Sequence, residues 1–180
     1  YGTMTGDRRG CFALHRRALV SGLAASAVLV GEVSAQRTGV PKHPRLLVTA
    51  QDWQRLEARQ AADPDLRLLV TRLLARAQKD LALPPLERKL EGRRLLGISR
   101  EFIRRVLLWS FAYRLTGQAP YLERARAEML QVARFADWNP SHFLDVAEMT
   151  TGMAVGYDWL FAALPPQERR TGCPQRSLPS

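Results

Sequence analysis

Apolar residues recur three and four positions apart along most of this chain, and prolines or glycines interrupt that spacing at short intervals. Such spacing gathers apolar side chains on one face of an α-helix, and no stretch of any length alternates as a β-strand would. The interruptions leave short links, which force consecutive helices to run antiparallel. The pattern therefore predicts an all-α fold of helical hairpins. The clearest apolar stripe consists of Leu66, Leu69, Val70, Leu73, Leu74, Ala77 and Leu81.

Capping residues predict where these helices begin and end. We expect Thr49 to cap the first helix, with Asp52 returning a hydrogen bond to the cap. Asp63-Pro64 predicts the start of the second helix, since aspartate accepts from free amides and proline fits the first turn. Ser99 is predicted to open the third helix, which ends where Gly117 suits a left-handed conformation.

The first 35 residues have the composition of an export signal. Two Arg-Arg pairs precede the apolar stretch ALVSGLAASAVLVG, and small residues follow up to Ala35, where a signal peptidase would cleave. The apolar stretch is too short and too rich in Ala, Gly and Ser for a stable membrane span. We therefore predict a signal peptide over residues 1–35, a linker over 36–42, and a periplasmic or secreted protein without a membrane span after signal removal.

The net charge limits the classes of partner. The chain has 27 Lys and Arg against 17 Asp and Glu, a formal charge of +10. Four arginines and two acids precede Gln36, so the remainder carries 23 basic and 15 acidic residues, or +8. Such a surface attracts nucleic acid, anionic lipid or acidic polysaccharide. Because the arginines are spread along helices rather than gathered in one run, no nucleic-acid partner is predicted.

Metal and cofactor chemistry find little support in the sequence. Cys11 and Cys173 both lie outside residues 36–170, which leaves no thiolate metal site or disulfide framework there. His43 and His142 are the only histidines after the predicted signal. No Gly-rich phosphate loop or His-Glu-x-x-His motif occurs. We therefore predict neither a metal site nor a cofactor for this chain.

The stretch NPSHFLDVAEMTTGMAVGYDWL has helical spacing but carries unusual polar groups. The predicted helix runs from about Ser141 to Ala163, with Asn139 or Ser141 as its cap and His142 in its first turn. Asp145 and then Glu148 follow at intervals of three residues, so they share a face. Thr150, Thr151 and Gly152 form a small-residue patch that would let another helix or a ligand approach closely.

Two interpretations of this stretch stay open. In the first, it is a core helix whose early acid complements the helix dipole and whose aromatic residues are buried. In the second, His142, Glu148 and Tyr157 form a wall that faces a substrate. Glu148 favours the second, because a carboxylate beside an apolar stripe needs a partner, for which the arginines are the obvious supply.

Three blocks lie within about residues 43 to 170: HPRLLVTAQDWQRLEA, LTGQAPYLERA and WNPSHFLDVAEMTTGMAVGYDWLFAALPPQERR. Together, and the last block most specifically, they resemble the N-terminal domain of the heparinase II/III-like, or alginate-lyase-like, polysaccharide lyases. The resemblance implies an (α/α) toroid, incomplete in this chain, followed by a β-sandwich domain in an exported enzyme. It implies an acidic polysaccharide as the partner, such as heparin, heparan sulfate or alginate, cleaved by β-elimination.

The resemblance also implies that the catalytic Asn/His pair and Tyr lie beyond the end of this chain, so no catalytic residue is predicted within it. A structural metal is compatible with the C-terminal domain that the family carries. Residues 171–180, with two prolines and no apolar stripe, do not continue an amphipathic helix and predict an aberrant or disordered tail. We therefore expect a fragment that lacks elimination activity.

Two other functions remain as alternatives. The first is a non-enzymatic helical module that binds an acidic glycan or a protein. The second is a glycoside hydrolase, which needs two carboxylates on either side of the scissile bond. Asp145 and Glu148 are only one helical turn apart, which disfavours the hydrolase.

Overall fold

The computed structural model describes residues 39–171. Within that range the chain is helical and contains no strand, which confirms the all-α prediction. The predicted export signal, both cysteines and the tail after Thr171 lie outside the described residues. The helices are α1 (Ala50–Ala62), α2 (Pro64–Asp80), α3 (Leu96–Thr116), α4 (Ala119–Ala133), α5 (Phe143–Leu160), the 3₁₀ turn Phe161–Ala163 and α6 (Pro166–Thr171).

The predicted boundaries of the early helices are confirmed. The Asp52 carboxylate accepts from Thr49 N at 2.8 Å, and the Thr49 side chain accepts from Asp52 N in return, which closes the capping box of α1. The Asp63 carboxylate accepts from two free amides at the start of α2. Gly117 ends α3 with a φ of 69°, a left-handed conformation that favours glycine.

The start of α3 was predicted wrongly. The helix begins at Leu96 rather than at Ser99, whose buried side chain lies inside the first turn. Asp145 from α5 accepts from Leu95 N at 2.7 Å, so a carboxylate distant in sequence takes an amide at the helix start. Ser99 Oγ in turn donates to Glu148 Oε2 at 2.5 Å. A tertiary contact therefore sets this boundary.

The start of α5 also differs from the prediction. Neither Asn139 nor Ser141 caps it; His142 occupies the cap position, and its side chain makes no capping hydrogen bond. Asn139 lies before the helix with a φ of 57°, which asparagine tolerates better than most residues. Its side-chain amide donates to Asp145 Oδ2 at 2.6 Å and to Arg93 O at 3.0 Å. The Asn139 side chain therefore links two loops.

Helix α3 lies at the centre of the compact unit that begins at Lys42. It packs most extensively against α5 and also contacts α1, α2 and α4. Two glycines of α5 allow this close approach. A Cβ at Gly152 would lie 2.8 Å from Phe102 Cε1, and a Cβ at Gly156 would overlap Val106 Cγ1. Helix α3 therefore packs closely at Gly152, within the predicted small-residue patch. The largest buried apolar side chains are Trp109, Phe102, Leu95, Met149, Leu160, Val106 and Val132.

We expect Gly156→Ala to lower the free energy of unfolding by about 1–3 kcal/mol through overpacking, despite the higher helix propensity of alanine. Val106 is β-branched and cannot rotate freely away from the added methyl group. Chemical denaturation of both proteins measures the difference. Gly97→Ala is the matched control, because the Cβ there would meet only the flexible end of Glu91. A neutral or stabilising Gly156→Ala would contradict this packing.

The segment before α1 is fastened to the end of α5. Asp158 is buried and accepts from the backbone amides of Arg45 and Leu46, each at 2.8 Å. His43 Nδ1 lies 2.5 Å from the other carboxylate oxygen. Trp159 Nε1 donates to Leu46 O at 3.0 Å, which fixes the indole ring beside this segment. The orientation of Trp159 therefore depends on residues near the start of the described chain.

Candidate functional site

His142, the first of the three predicted substrate-facing residues, lies against Asp145. The distance from His142 Nδ1 to Asp145 Oδ1 is 3.0 Å, and the imidazole is about a third exposed. Burial acts to raise the pKa of Asp145, but hydrogen bonds from Leu95 N and Asn139, together with the nearby His142 ring, outweigh it and hold the pKa below its ordinary value. Asp145 is therefore an ionised group that fixes the helix ends around it, and His142 is held beside it.

Glu148 has the arginine partner that the sequence predicted, together with a serine. Its Oε1 lies 3.4 Å from Arg100 Nε, and its Oε2 accepts from Ser99 Oγ at 2.5 Å. Both partners belong to the first turns of α3, and the Glu148 side chain is largely buried. These contacts join α5 to α3. They explain why a carboxylate lies at this position without requiring that it bind a substrate.

Tyr157 also has protein partners. Its Oη donates to Arg169 O at 2.6 Å, and its ring meets the rings of Phe161 and His43 edge-on. At a rise of 1.5 Å per residue, Tyr157 lies about 13 Å along the helix from Glu148 and about 22 Å from His142. The structure therefore spreads the three predicted residues along α5 and does not gather them around one point.

A different part of the molecule forms an extended hollow surface. Two cavities of about 460 Å³ and 410 Å³ share Phe111 and Trp159 as common lining residues. We call the two together the Trp159 cleft. The first cavity is also lined by Leu73, Arg76, Arg104, Leu107 and Leu108. The second is also lined by Val48, Asp52, Trp53, Arg55, Leu56 and Arg59.

The Trp159 cleft combines an apolar interior with positive charge. The rings of Trp53 and Trp159 pack edge to face with centroids 5.2 Å apart, and Phe111 contacts Trp53 at 5.6 Å. Four arginines and one aspartate also line it, so its formal charge is positive. Arg76 and Arg55 are well exposed, at 57% and 64% of their side chains. Aromatic faces beside cationic groups suit a ligand that has an apolar face and negative charge.

The sequence interpretation did not single out Phe111, Arg76 or Arg104. Trp159 is one of the aromatic residues in the stretch NPSHFLDVAEMTTGMAVGYDWL, but no sequence pattern groups it with these three residues. One signal was available: Arg76 and Asp80 are four residues apart, the spacing of an ion pair on a helix. Nothing local indicates that α2, α3 and α5 meet around this surface.

The described residues contain no group of three or more His, Cys, Asp or Glu side chains placed to hold a metal ion. Over the same residues, no helix combines the length and the apolar composition that crossing a bilayer requires. Comparison with known families adds no assignment. The chain matches no protein-family model. A search of curated proteins also finds no significant match. The resemblance to polysaccharide lyases therefore remains a prediction from the sequence.

Proposed function

We propose that this chain is the helical N-terminal part of an exported polysaccharide lyase, that its hairpins belong to an (α/α) toroid, and that it binds a uronate-containing polysaccharide in the Trp159 cleft. Heparin, heparan sulfate and alginate are examples of such polymers. The observation that carries this proposal is the combination of aromatic rings and arginines in one cleft. The cleft lies within residues 43–170, the range that carries the family resemblance.

The chemistry of the ligand fits this surface. A sugar ring presents C–H groups on its faces, and these pack against aromatic rings such as Phe111 and Trp159. A uronate carboxylate or a sulfate accepts two parallel hydrogen bonds from one guanidinium group. Repeating negative charges along the polymer also favour its approach to the chain from Gln36 onward, which carries 23 basic and 15 acidic residues, or +8.

The proposed role of this chain is binding rather than elimination. Elimination requires a base for the proton beside the carboxylate and an acid for the leaving oxygen. Tyr157 and His142 are the residue types that do such work, yet neither is among the lining residues of the Trp159 cleft. Tyr157 Oη already donates to Arg169 O. We therefore expect the 180-residue chain to release no unsaturated uronate from alginate or heparin.

A second candidate function is a helical module that binds an acidic glycan or a protein without any link to an enzyme. The leucines of the Trp159 cleft favour this alternative, since an apolar groove also accepts an amphipathic helix. The two ligands differ in their response to salt. Binding of a charged glycan weakens as ionic strength rises, whereas burial of an apolar helix face depends on it much less.

We expect Phe111→Leu to weaken binding of an alginate hexasaccharide about fivefold, since loss of an aromatic contact costs about 1 kcal/mol. Leucine keeps the site apolar, so the fold should persist. Phe143→Leu is the matched control, because Phe143 is a phenylalanine of α5 that is 79% exposed and lies outside the cleft. Isothermal titration calorimetry measures both. Equal affinities for the two variants would contradict the location of the site, and absence of binding by the unmodified chain would contradict the proposed function.

A further inference from the structure

Seven charged side chains form a continuous chain of alternating sign through the molecule. Asp80 receives Arg76 Nε at 2.7 Å and Arg104 Nη1 at 2.5 Å. Glu101 then joins Arg104 to Arg105, at 2.6 Å and 2.8 Å. Glu128 joins Arg105 to Arg124, at 3.4 Å and 2.9 Å. The order is Arg76, Asp80, Arg104, Glu101, Arg105, Glu128 and Arg124.

This ion-pair chain holds four arginines and three carboxylates, so one positive charge is in excess. Both ends of this ion-pair chain, as it runs through the described residues, are arginines. Arg124, at one end, is only 15% exposed; it donates to Leu83 O and lies 4.8 Å over the Trp109 ring. Arg76, at the other end, is 57% exposed and lines the Trp159 cleft. The excess charge is therefore accessible to a ligand at Arg76.

The bonding of Arg76 differs from that of its neighbour in the cleft. Each of the three guanidinium nitrogens of Arg104 donates to a carboxylate: Nε and Nη2 to Glu101, and Nη1 to Asp80. The bonds from Arg104 to Glu101, together with the bond from Arg105, hold the pKa of Glu101 down to about 2, so Glu101 stays ionised and keeps Arg104 bound. Arg76 donates only through Nε, and its two Nη groups have no partner among the described residues.

We infer that Arg76 is the residue that recognises the carboxylate of the bound polymer, an assignment that rests on the proposed function. The Nε bond to Asp80, which is only 3% exposed, anchors the guanidinium group. An anchored guanidinium group loses less conformational freedom when a carboxylate binds across its Nη groups. The remainder of this cavity is lined mainly by leucine and aromatic side chains, so a carboxylate that enters it requires such a partner. Arg76 would thereby determine specificity for acidic over neutral sugars.

The test compares an alginate hexasaccharide with its neutral counterpart, in which each carboxyl group is reduced to an alcohol. The unmodified chain should prefer the acidic hexasaccharide. Arg76→Gln should weaken binding of the acidic form by at least about tenfold and leave the neutral form unchanged, since a bond to a charged group contributes more than about 1.4 kcal/mol. Arg76→Lys, which keeps the charge but loses the planar fork, should recover only part of the preference.

Arg72→Gln is the matched control, because Arg72 is exposed on the same helix one turn earlier and does not line the cleft. It should bind like the unmodified chain. Equal losses in the two glutamine variants would mean diffuse attraction between charges and would overturn the inference. An unchanged preference in Arg76→Gln would overturn it too, while leaving the proposed function intact. Failure of the unmodified chain to bind either hexasaccharide would instead defeat the proposed function. If Arg76→Gln does not fold, Arg76→Lys provides the test. A preference for the acidic hexasaccharide as strong in Arg76→Lys as in the unmodified chain would refute recognition by the planar guanidinium group.

Discussion

Glu128→Ala is expected to lower the free energy of unfolding by about 3–5 kcal/mol, as is typical when one partner of a buried ion pair is removed. Glu128 is fully buried, and its Oε1 accepts from Leu86 N at 2.9 Å. Its removal would leave Arg105 and Arg124, which are 7% and 15% exposed, without the carboxylate between them. Arg105 would keep Glu101 as a partner at 2.8 Å, but Arg124 would keep no carboxylate among the described residues. A largely buried charge that loses its partner costs more than the lost contact itself, because water cannot readily replace that partner.

Glu123→Ala is the control for this substitution. Glu123 lies on the same helix but is exposed, so its replacement should change stability by no more than about 0.5 kcal/mol. Urea denaturation followed by circular dichroism measures both variants. If Glu128→Ala lowers the free energy of unfolding by less than about 1 kcal/mol, Glu128 does not pair with Arg105 and Arg124 in solution.

Asp145→Ala is expected to cost about 3 kcal/mol, since it removes two hydrogen bonds to a buried charged group. Leu95 N and the Asn139 amide both donate to Asp145 Oδ2, and the start of α3 and the loop before α5 both depend on that oxygen. Asp145→Asn should cost much less, because its carbonyl oxygen can still accept from both donors. Thermal and urea unfolding of the two variants tests this order; equal losses would show that the charge, rather than the geometry, is what matters.

The acid dependence of stability provides a second readout at Asp145. Its pKa is lower in the folded protein than the ordinary value of 3.8. As pH falls, the unfolded chain therefore takes up this proton before the folded protein does. The stabilisation that ionised Asp145 provides is complete above its ordinary pKa of 3.8, and it is lost as pH falls from there through the lower pKa of the folded state. Asp145→Asn should flatten that part of the dependence of unfolding free energy on pH. An unchanged slope would contradict an ionised, hydrogen-bonded Asp145.

Local chemistry was sufficient to predict the helices whose boundaries depend on neighbouring residues. The Thr49 and Asp52 box, Asp63-Pro64 and Gly117 all lie where the sequence predicts, because each satisfies backbone groups within a few residues. The start of α3 was missed for the opposite reason. Asp145 is 50 positions from Leu95. No local pattern around Ser99 indicates that a carboxylate from another helix accepts a hydrogen bond at this helix start.

The candidate site was harder to predict than the helices. A His, an acid and a Tyr at helical spacing resemble a functional wall, yet in the structure each contacts a protein partner. The Trp159 cleft depends on how α1, α2, α3 and α5 pack, and its arginines are scattered among the many that cover the chain. The sequence can indicate single ion pairs on a helix through their spacing, as it does for Arg76 and Asp80. Their connection into one chain is a property of tertiary structure.

The most direct test of acidic-glycan binding in the Trp159 cleft is an NMR titration of the indole N–H signals with an alginate hexasaccharide. The chain has four tryptophans. Trp53 and Trp159 line the cleft, whereas Trp109 is buried in the core and Trp138 lies near the start of α5. We predict saturable shifts of the Trp53 and Trp159 signals, with those of Trp109 and Trp138 unchanged. A shift of Trp138 alone would move the site to the His142 end of α5, and no shift of any indole signal would contradict glycan binding altogether.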